Sequence, residues 1–314
     1  MWNALLLSVI TAAYYLLLRR MSADVSPFLL GTMFRVVCLL LFSISFAVRG
    51  HGRLLISKEV RRLLPWLLLI AACNFIIEGA TIVGLGLTTA LNAALLARID
   101  IVFAIGIGMT FFHERPHKAD LFGIALLAAG CFAVLNVHLG GISGHAVGDL
   151  LVVLAGFLIA TNAFVIRYKL GALHKDVIAF HNVLYSTIPF ALACLWETRV
   201  FVVTPATVSF ILILGAVVFG SYMSYYAALR AMPVWRIRAL LLTVPALVLF
   251  GGAFFLRDPV TIGQIRGAAL VVAGELILLV SAMRNARAQA ALPGEPRDQR
   301  ADVLPPQETA AGDF

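Results

Sequence analysis

Phe122-Gly-Ile-Ala-Leu-Leu-Ala-Ala-Gly130 returns 144 residues later as Arg266-Gly-Ala-Ala-Leu-Val-Val-Ala-Gly274. Five of the eight positions from Gly123 to Gly130 are identical in the two copies. The apolar run before each copy agrees as well: Gly108 matches Gly252, Phe111 matches Phe255 and Glu114 matches Asp258. Agreement over two successive runs and the acidic loop between them marks an internal repeat, not a chance likeness of glycine- and alanine-rich helices. Each copy holds five apolar runs. Five is odd, so the second copy enters a membrane from the side opposite to the first, and the repeat is inverted.

Composition places these runs in a bilayer. Of 314 residues, 61% are hydrophobic and 13% charged, with a mean hydropathy of +0.98. A soluble domain has about 45–50% apolar and about 25% charged residues. The spacing predicts an all-α polytopic membrane protein. A β-barrel is excluded, because its strands would alternate apolar and polar residues over short segments. Ten runs are long enough to cross roughly 30 Å of hydrocarbon. They lie near residues 2–18, 26–48, 63–86, 88–112, 120–140, 148–168, 177–196, 207–230, 234–256 and 262–283. The first run lacks a positive leader and a small-residue cleavage site, so it reads as a span and not as a signal peptide. Residues 1–140 form the first five-helix repeat and 148–283 the second, with Gly140, Gly141, Ser143 and Gly144 as the linker. Residues 284–314 carry four prolines, four arginines and five acids, and read as a disordered cytoplasmic tail.

Lysines and arginines set the orientation. With the N-terminus inside, 17 of them fall on inner segments, 5 on outer segments, and Arg35 and Arg98 within spans. This bias places both termini in the cytoplasm. The net charge of +8 follows the ends of apolar runs and forms no basic stripe over a soluble region, which argues against nucleic acid. Cys38, Cys73, Cys131 and Cys194 sit in apolar runs without pairing or metal-ligand spacing and read as small core residues. No metal and no cofactor is implied.

A charge at the bilayer centre costs about 2.5–3.5 kcal/mol on insertion scales, so such residues mark a pathway or a paired site. Counting along the spans puts Arg35, Glu78, Arg98 and Asp100 at one depth, slightly outward of centre. A tight hairpin near residue 87 brings Glu78 within a turn of Arg98, which predicts a Glu78–Arg98 pair and leaves Arg35 for Asp100. The alternatives are a neutral network that locks the first bundle, or a group facing a cavity that binds substrate or a proton. A buried carboxylate takes up or releases a proton as its surroundings change, which is what proton coupling requires. Asn74, Glu78 and Thr81 share one helix face. Asn92, Thr161, Asn162, Ser221, Ser224, Tyr225 and Tyr226 are further candidates for a cavity wall, and His181 is a candidate proton shuttle. Glu275, near the middle of the last run, matches Cys131 at the same offset.

The segments Phe111-Phe-His-Glu-Arg-Pro-His-Lys-Ala-Asp-Leu-Phe-Gly123 and Phe255-Leu-Arg-Asp-Pro-Val-Thr-Ile-Gly-Gln-Ile-Arg-Gly267 carry a family likeness. Together with Pro245, they resemble the ten-span EamA-type branch of the drug/metabolite transporter superfamily. The chain departs from that pattern at Ile101, which stands where span 4 would match Pro245, and in span 1, which lacks a Trp-Gly pair. The resemblance implies a secondary transporter in the inner membrane, one that exports amino acids, amphipathic metabolites or drugs. Its partners are then a small-molecule substrate and the lipid bilayer. The competing classes are an intramembrane lipid-modifying enzyme and a non-transporting scaffold. Neither His-Glu-x-x-His nor Gly-x-Ser-x-Gly occurs, and Pro116 breaks the helix that metal ligation by His113 and His117 would need. A phosphate-cradling glycine-rich loop is also absent.

Overall fold

The computed structural model describes residues 2–22, 25–50, 52–112, 118–134, 144–197, 204–231, 241, 243–257 and 261–291. Glu114, Asp258, Arg236, Arg238, the linker before Gly144 and the tail from residue 292 lie outside them. Among the described residues every regular element is helical. The main helices are α1 (Trp2–Ser22), α2 (Pro27–Val48), α3 (Lys58–Arg62), α4 (Leu64–Leu87), α5 (Ala90–Leu96), α6 (Asp100–Phe112) and α7 (Lys118–Val134). They continue with α8 (Gly144–Lys169), α9 (Lys175–Cys194), α10 (Pro205–Ala231), α11 (Thr243–Gly251) and α12 (Ile262–Ala291). Seven helical stretches are long and apolar enough to cross a membrane, and Val244–Phe255 is a shorter apolar one. α1 and α7 are helical within the first and fifth apolar runs.

Local chemistry explains several boundaries. Pro27 opens α2, where its fixed φ suits a first turn and its missing N–H costs little. The Ser26 side chain makes no capping bond. The Glu197 carboxylate caps α2 from the end of α9 instead, accepting from Phe28 N at 3.0 Å and Leu29 N at 2.9 Å. At the other end of the pair, Arg49 donates to Asp176 Oδ2 at 3.2 Å. α2 and α9 therefore run antiparallel and are tied at both ends. Arg19, near the end of α1, donates to the C-terminal carbonyls of α4, Leu85 O at 2.6 Å and Gly86 O at 3.3 Å, closing its last turn.

The expected hairpin after α4 is present, turning at Thr88 and Thr89, with Thr89 capping α5 through Asn92 N. The fourth apolar run is not one continuous α-helix. It passes through a 3-10 turn at Ala97–Ile99 before α6 begins at Asp100. The shorter repeat of a 3-10 turn changes the facing of everything beyond it. The segment before α11's successor loop ends in a π-turn over Gly252–Leu256.

Packing is dense between specific helix pairs. α4 packs on α8 and α1 on α10; α4 also packs on α9, and α2 on α10. α1 meets α11, α6 meets α8, α2 meets α9, and α5 meets α11. α7 and α12 pack chiefly on each other. Glycines set that last approach: a Cβ on Gly130 would lie 2.8 Å from Gly267 O and 2.7 Å from Val271 N. A Cβ on Gly274 would lie 2.7 Å from both Gly123 O and Leu127 N. Large apolar side chains such as Leu40, Ile44, Phe111, Phe132, Leu192 and Phe254 point outward. Such a surface suits lipid and not water. All four cysteines are free, with Cys38 and Cys131 buried.

Candidate functional site

Five helices, α1, α2, α4, α6 and α10, bring a polar cluster together in the bundle interior. Glu78, near the middle of α4, is half-buried, and its Oε2 accepts from the Tyr14 hydroxyl of α1 at 2.5 Å. One turn earlier on the same α4 face, Asn74 Nδ2 donates to the Tyr222 hydroxyl of α10 at 3.2 Å. Tyr222 lies in the electrostatic reach of Glu78, Arg35 and Cys38. Tyr15, the neighbour of Tyr14, lies in the reach of Arg98, Asp100 and Glu78. Arg35, Asn74, Glu78, Arg98 and Asp100 thus lie around the same tyrosines, Tyr14, Tyr15 and Tyr222.

The pairings within it differ from the expected ones. Glu78 takes Tyr14, and no Glu78–Arg98 ion pair forms among the described residues. Two causes act together: α1 packs beside α4, and the 3-10 turn at Ala97–Ile99 re-aims Arg98. Arg35 does not pair with Asp100. Its Nε donates to Ser186 Oγ of α9 at 3.3 Å, one terminal nitrogen donates to Gly31 O at 3.2 Å, and its guanidinium carbon stands 3.9 Å from the Phe190 ring centre. A guanidinium over an aromatic face gains a cation–π attraction that offsets part of the cost of its burial. Gly31 makes room for this ring, because a Cβ there would collide with Phe190. Arg35, Arg98 and Asp100 are buried, so Glu78 is the most open of the four charges.

The remaining predicted residues lie elsewhere. Asn92 belongs to a sealed cluster at the α4–α5 hairpin. It donates to Asp149 of α8 at 3.4 Å and accepts from Gln264 Nε2 of α12 at 2.6 Å. Thr88 Oγ1 donates to the same Asp149 at 2.5 Å. Asn162 donates to Ile70 O at 3.3 Å, pinning α8 to α4. His181 is buried towards the opposite end of the bundle, with Nδ1 2.9 Å from Val177 O. Thr81 turns back onto Ile77 O at 2.7 Å. Tyr225 is half-buried and packs against the core. Glu275 is buried in α12, within electrostatic reach of Cys131 in α7. Sequence reasoning did not select Tyr14, Tyr15, Ser186, Phe190, Tyr222 or Asp149. Adjacent tyrosines in mid-span, and an acid near the start of an apolar run, were the available signals. No group of three or more metal-ligating side chains occurs among the described residues.

A family model described as the EamA-like transporter family matches residues 1–136 and 146–280. No curated protein matches the sequence. One solved structure, described only as the crystal structure of a protein, superposes with a TM-score of 0.65 at 16% identity, covering 90% of this chain and 99% of that one. At that identity the likeness speaks for the fold alone.

Proposed function

The chain belongs to the EamA-like transporter family, and we propose that it is a secondary transporter that exports a small organic metabolite across the inner membrane by alternating access. On this proposal ten helices cross the bilayer as two inverted five-helix repeats, with both termini cytoplasmic. The helix packing supports the inverted arrangement. Exchanging each span with its counterpart turns the α4–α8 contact into α10–α1, the α4–α9 contact into α10–α2, and the α6–α8 contact into α11–α1, and all six occur. The glycine approaches exchange in the same way: Gly130 meets Gly267 and Val271, while Gly274 meets Gly123 and Leu127.

Arg35, Asn74, Glu78, Arg98 and Asp100 form the proposed solute wall, with Tyr14 and Tyr222 as hydrogen-bonding partners. The observation that carries this assignment is that Glu78 is half-buried while the charges around it are buried. A carboxylate in the interior of an apolar bundle, open on one side, can take a proton or a cationic group in exchange for its tyrosine partner. Two charges of each sign balance the region, which suits a zwitterion such as an amino acid. The 3-10 turn before Asp100 supplies a bend at the same level for a helix that must move. By their own hydrogen bonds Asn92 and Asn162 serve packing.

Uptake of radiolabelled amino acids into proteoliposomes, with and without a pH gradient, tests the proposal. Gradient-driven uptake should be present in the wild type and lost in Glu78→Gln. Normal transport by folded Glu78→Gln and Asp100→Asn together would remove these residues from the mechanism.

A further inference from the structure

Between α2 and α4 the chain does not cross directly. It runs through a 3-10 segment, Gly52–Ile56, and the short helix α3, capped by Ser57 through Val60 N at 3.3 Å. This stretch carries Arg53, Lys58, Arg61 and Arg62 against the single acid Glu59. It also leaves Ile56 71% exposed and Leu54 40% exposed, beside the cationic side chains. Exposed apolar groups next to a cluster of cations are the signature of a segment lying in the membrane interface. Beneath it is a cavity of about 330 Å³ against α9. Val60, Leu64, Phe180 and Leu184 make its walls apolar, and Arg61, His181 and Tyr185 stand among them as polar groups. The His181 ring is already engaged with Val177 O, whereas the exposed Arg61 side chain has no partner among the described residues.

We propose that this cavity holds an anionic phospholipid of the leaflet that this end of the bundle faces. The glycerol-proximal part of one acyl chain lies in the apolar cavity and the phosphate sits on Arg61, with Lys58 and Arg62 contributing to the local field. The volume lies at the small end of ligand-sized pockets, which fits part of a lipid and not the whole molecule. Charge complementarity selects the headgroup: each cation near an anionic surface strengthens binding about fivefold. Occupancy would brace α3 against α9, the helix that also carries Ser186 and Phe190 against Arg35.

The test is native mass spectrometry of the purified full chain, scoring retained phosphatidylglycerol against phosphatidylcholine. The wild type should retain phosphatidylglycerol preferentially. Arg61→Gln should reduce that retention about fivefold, Arg61→Lys should restore most of it, and Leu184→Trp, which fills the cavity, should reduce it too. Arg266→Gln, at the far end of the bundle, should leave it unchanged. Inorganic phosphate at 10-fold excess should not displace the lipid. Equal retention of the two lipids by the wild type, wild-type retention by Arg61→Gln, or displacement by phosphate alone would each overturn the proposal. The readout does not require transport, so its failure is separate from failure of the transporter assignment.

Discussion

Tyr14 holds the Glu78 carboxylate by a single hydrogen bond across two helices. A hydrogen bond to a charged group contributes about 1.5–3 kcal/mol, and about 1.4 kcal/mol is tenfold in an equilibrium. Tyr14→Phe is therefore expected to change the half-saturation of gradient-driven uptake at least about tenfold while the protein stays folded. A change under about twofold would show that the contact is incidental. Arg35 depends on shape as well as charge, since its plane lies on Phe190 and its Nε reaches Ser186. Arg35→Lys keeps the charge but loses both, so it should lower the thermal midpoint in detergent, with a loss of about 1–3 kcal/mol. An unchanged midpoint would count against the stacking. The four charges were legible in the sequence because ionised groups are conspicuous in apolar runs. Their partners were not, because Tyr14, Ser186 and Tyr222 are ordinary residues for such helices. Pairing depends on which helices become neighbours, and α1 beside α4 is a tertiary fact.

Helix contacts rest on small residues and on caps donated from a distance. Gly130 and Gly274 each face backbone atoms, which cannot move aside as a flexible side chain can. Alanine at either position should cost about 1–3 kcal/mol of stability through overpacking. Gly263→Ala is the control: its Cβ would meet only Thr261 Oγ1 at 3.8 Å, so its unfolding midpoint should stay at or rise slightly above the wild-type value. Equal effects at all three glycines would argue against a tight α7–α12 seam. Glu197 caps α2 from 168 residues away along the chain. Glu197→Ala should cost about 0.5–2 kcal/mol, read as a lowered midpoint in the same assay. Helix starts at Pro27 and Pro65 and the hairpin near residue 87 were legible, because proline and short polar turns act locally. The 3-10 turn at Ala97–Ile99 was not, since no proline or glycine marks it. The Asp149 cluster was hidden for a similar reason: its members come from the α4–α5 turn, α5, α8 and α12 and meet only in the fold.

Across the whole chain, the self-match at an offset of 144 relates positions that also meet in the fold. Gly123 and Gly130 of one copy face Gly274 and Gly267 of the other, at positions the match itself relates. On the proposed function, an inverted repeat would make a specific demand on Glu78: the two halves would expose its side of α4 to each membrane face in turn. Substituted-cysteine labelling measures this directly. In a background with Cys38, Cys73, Cys131 and Cys194 replaced by alanine, Glu78→Cys would be exposed to a membrane-impermeant thiol reagent in right-side-out and in inverted vesicles. Alternating access predicts modification from both sides, and slower modification when a transported solute is present. Modification from one side only, or from neither, would contradict it.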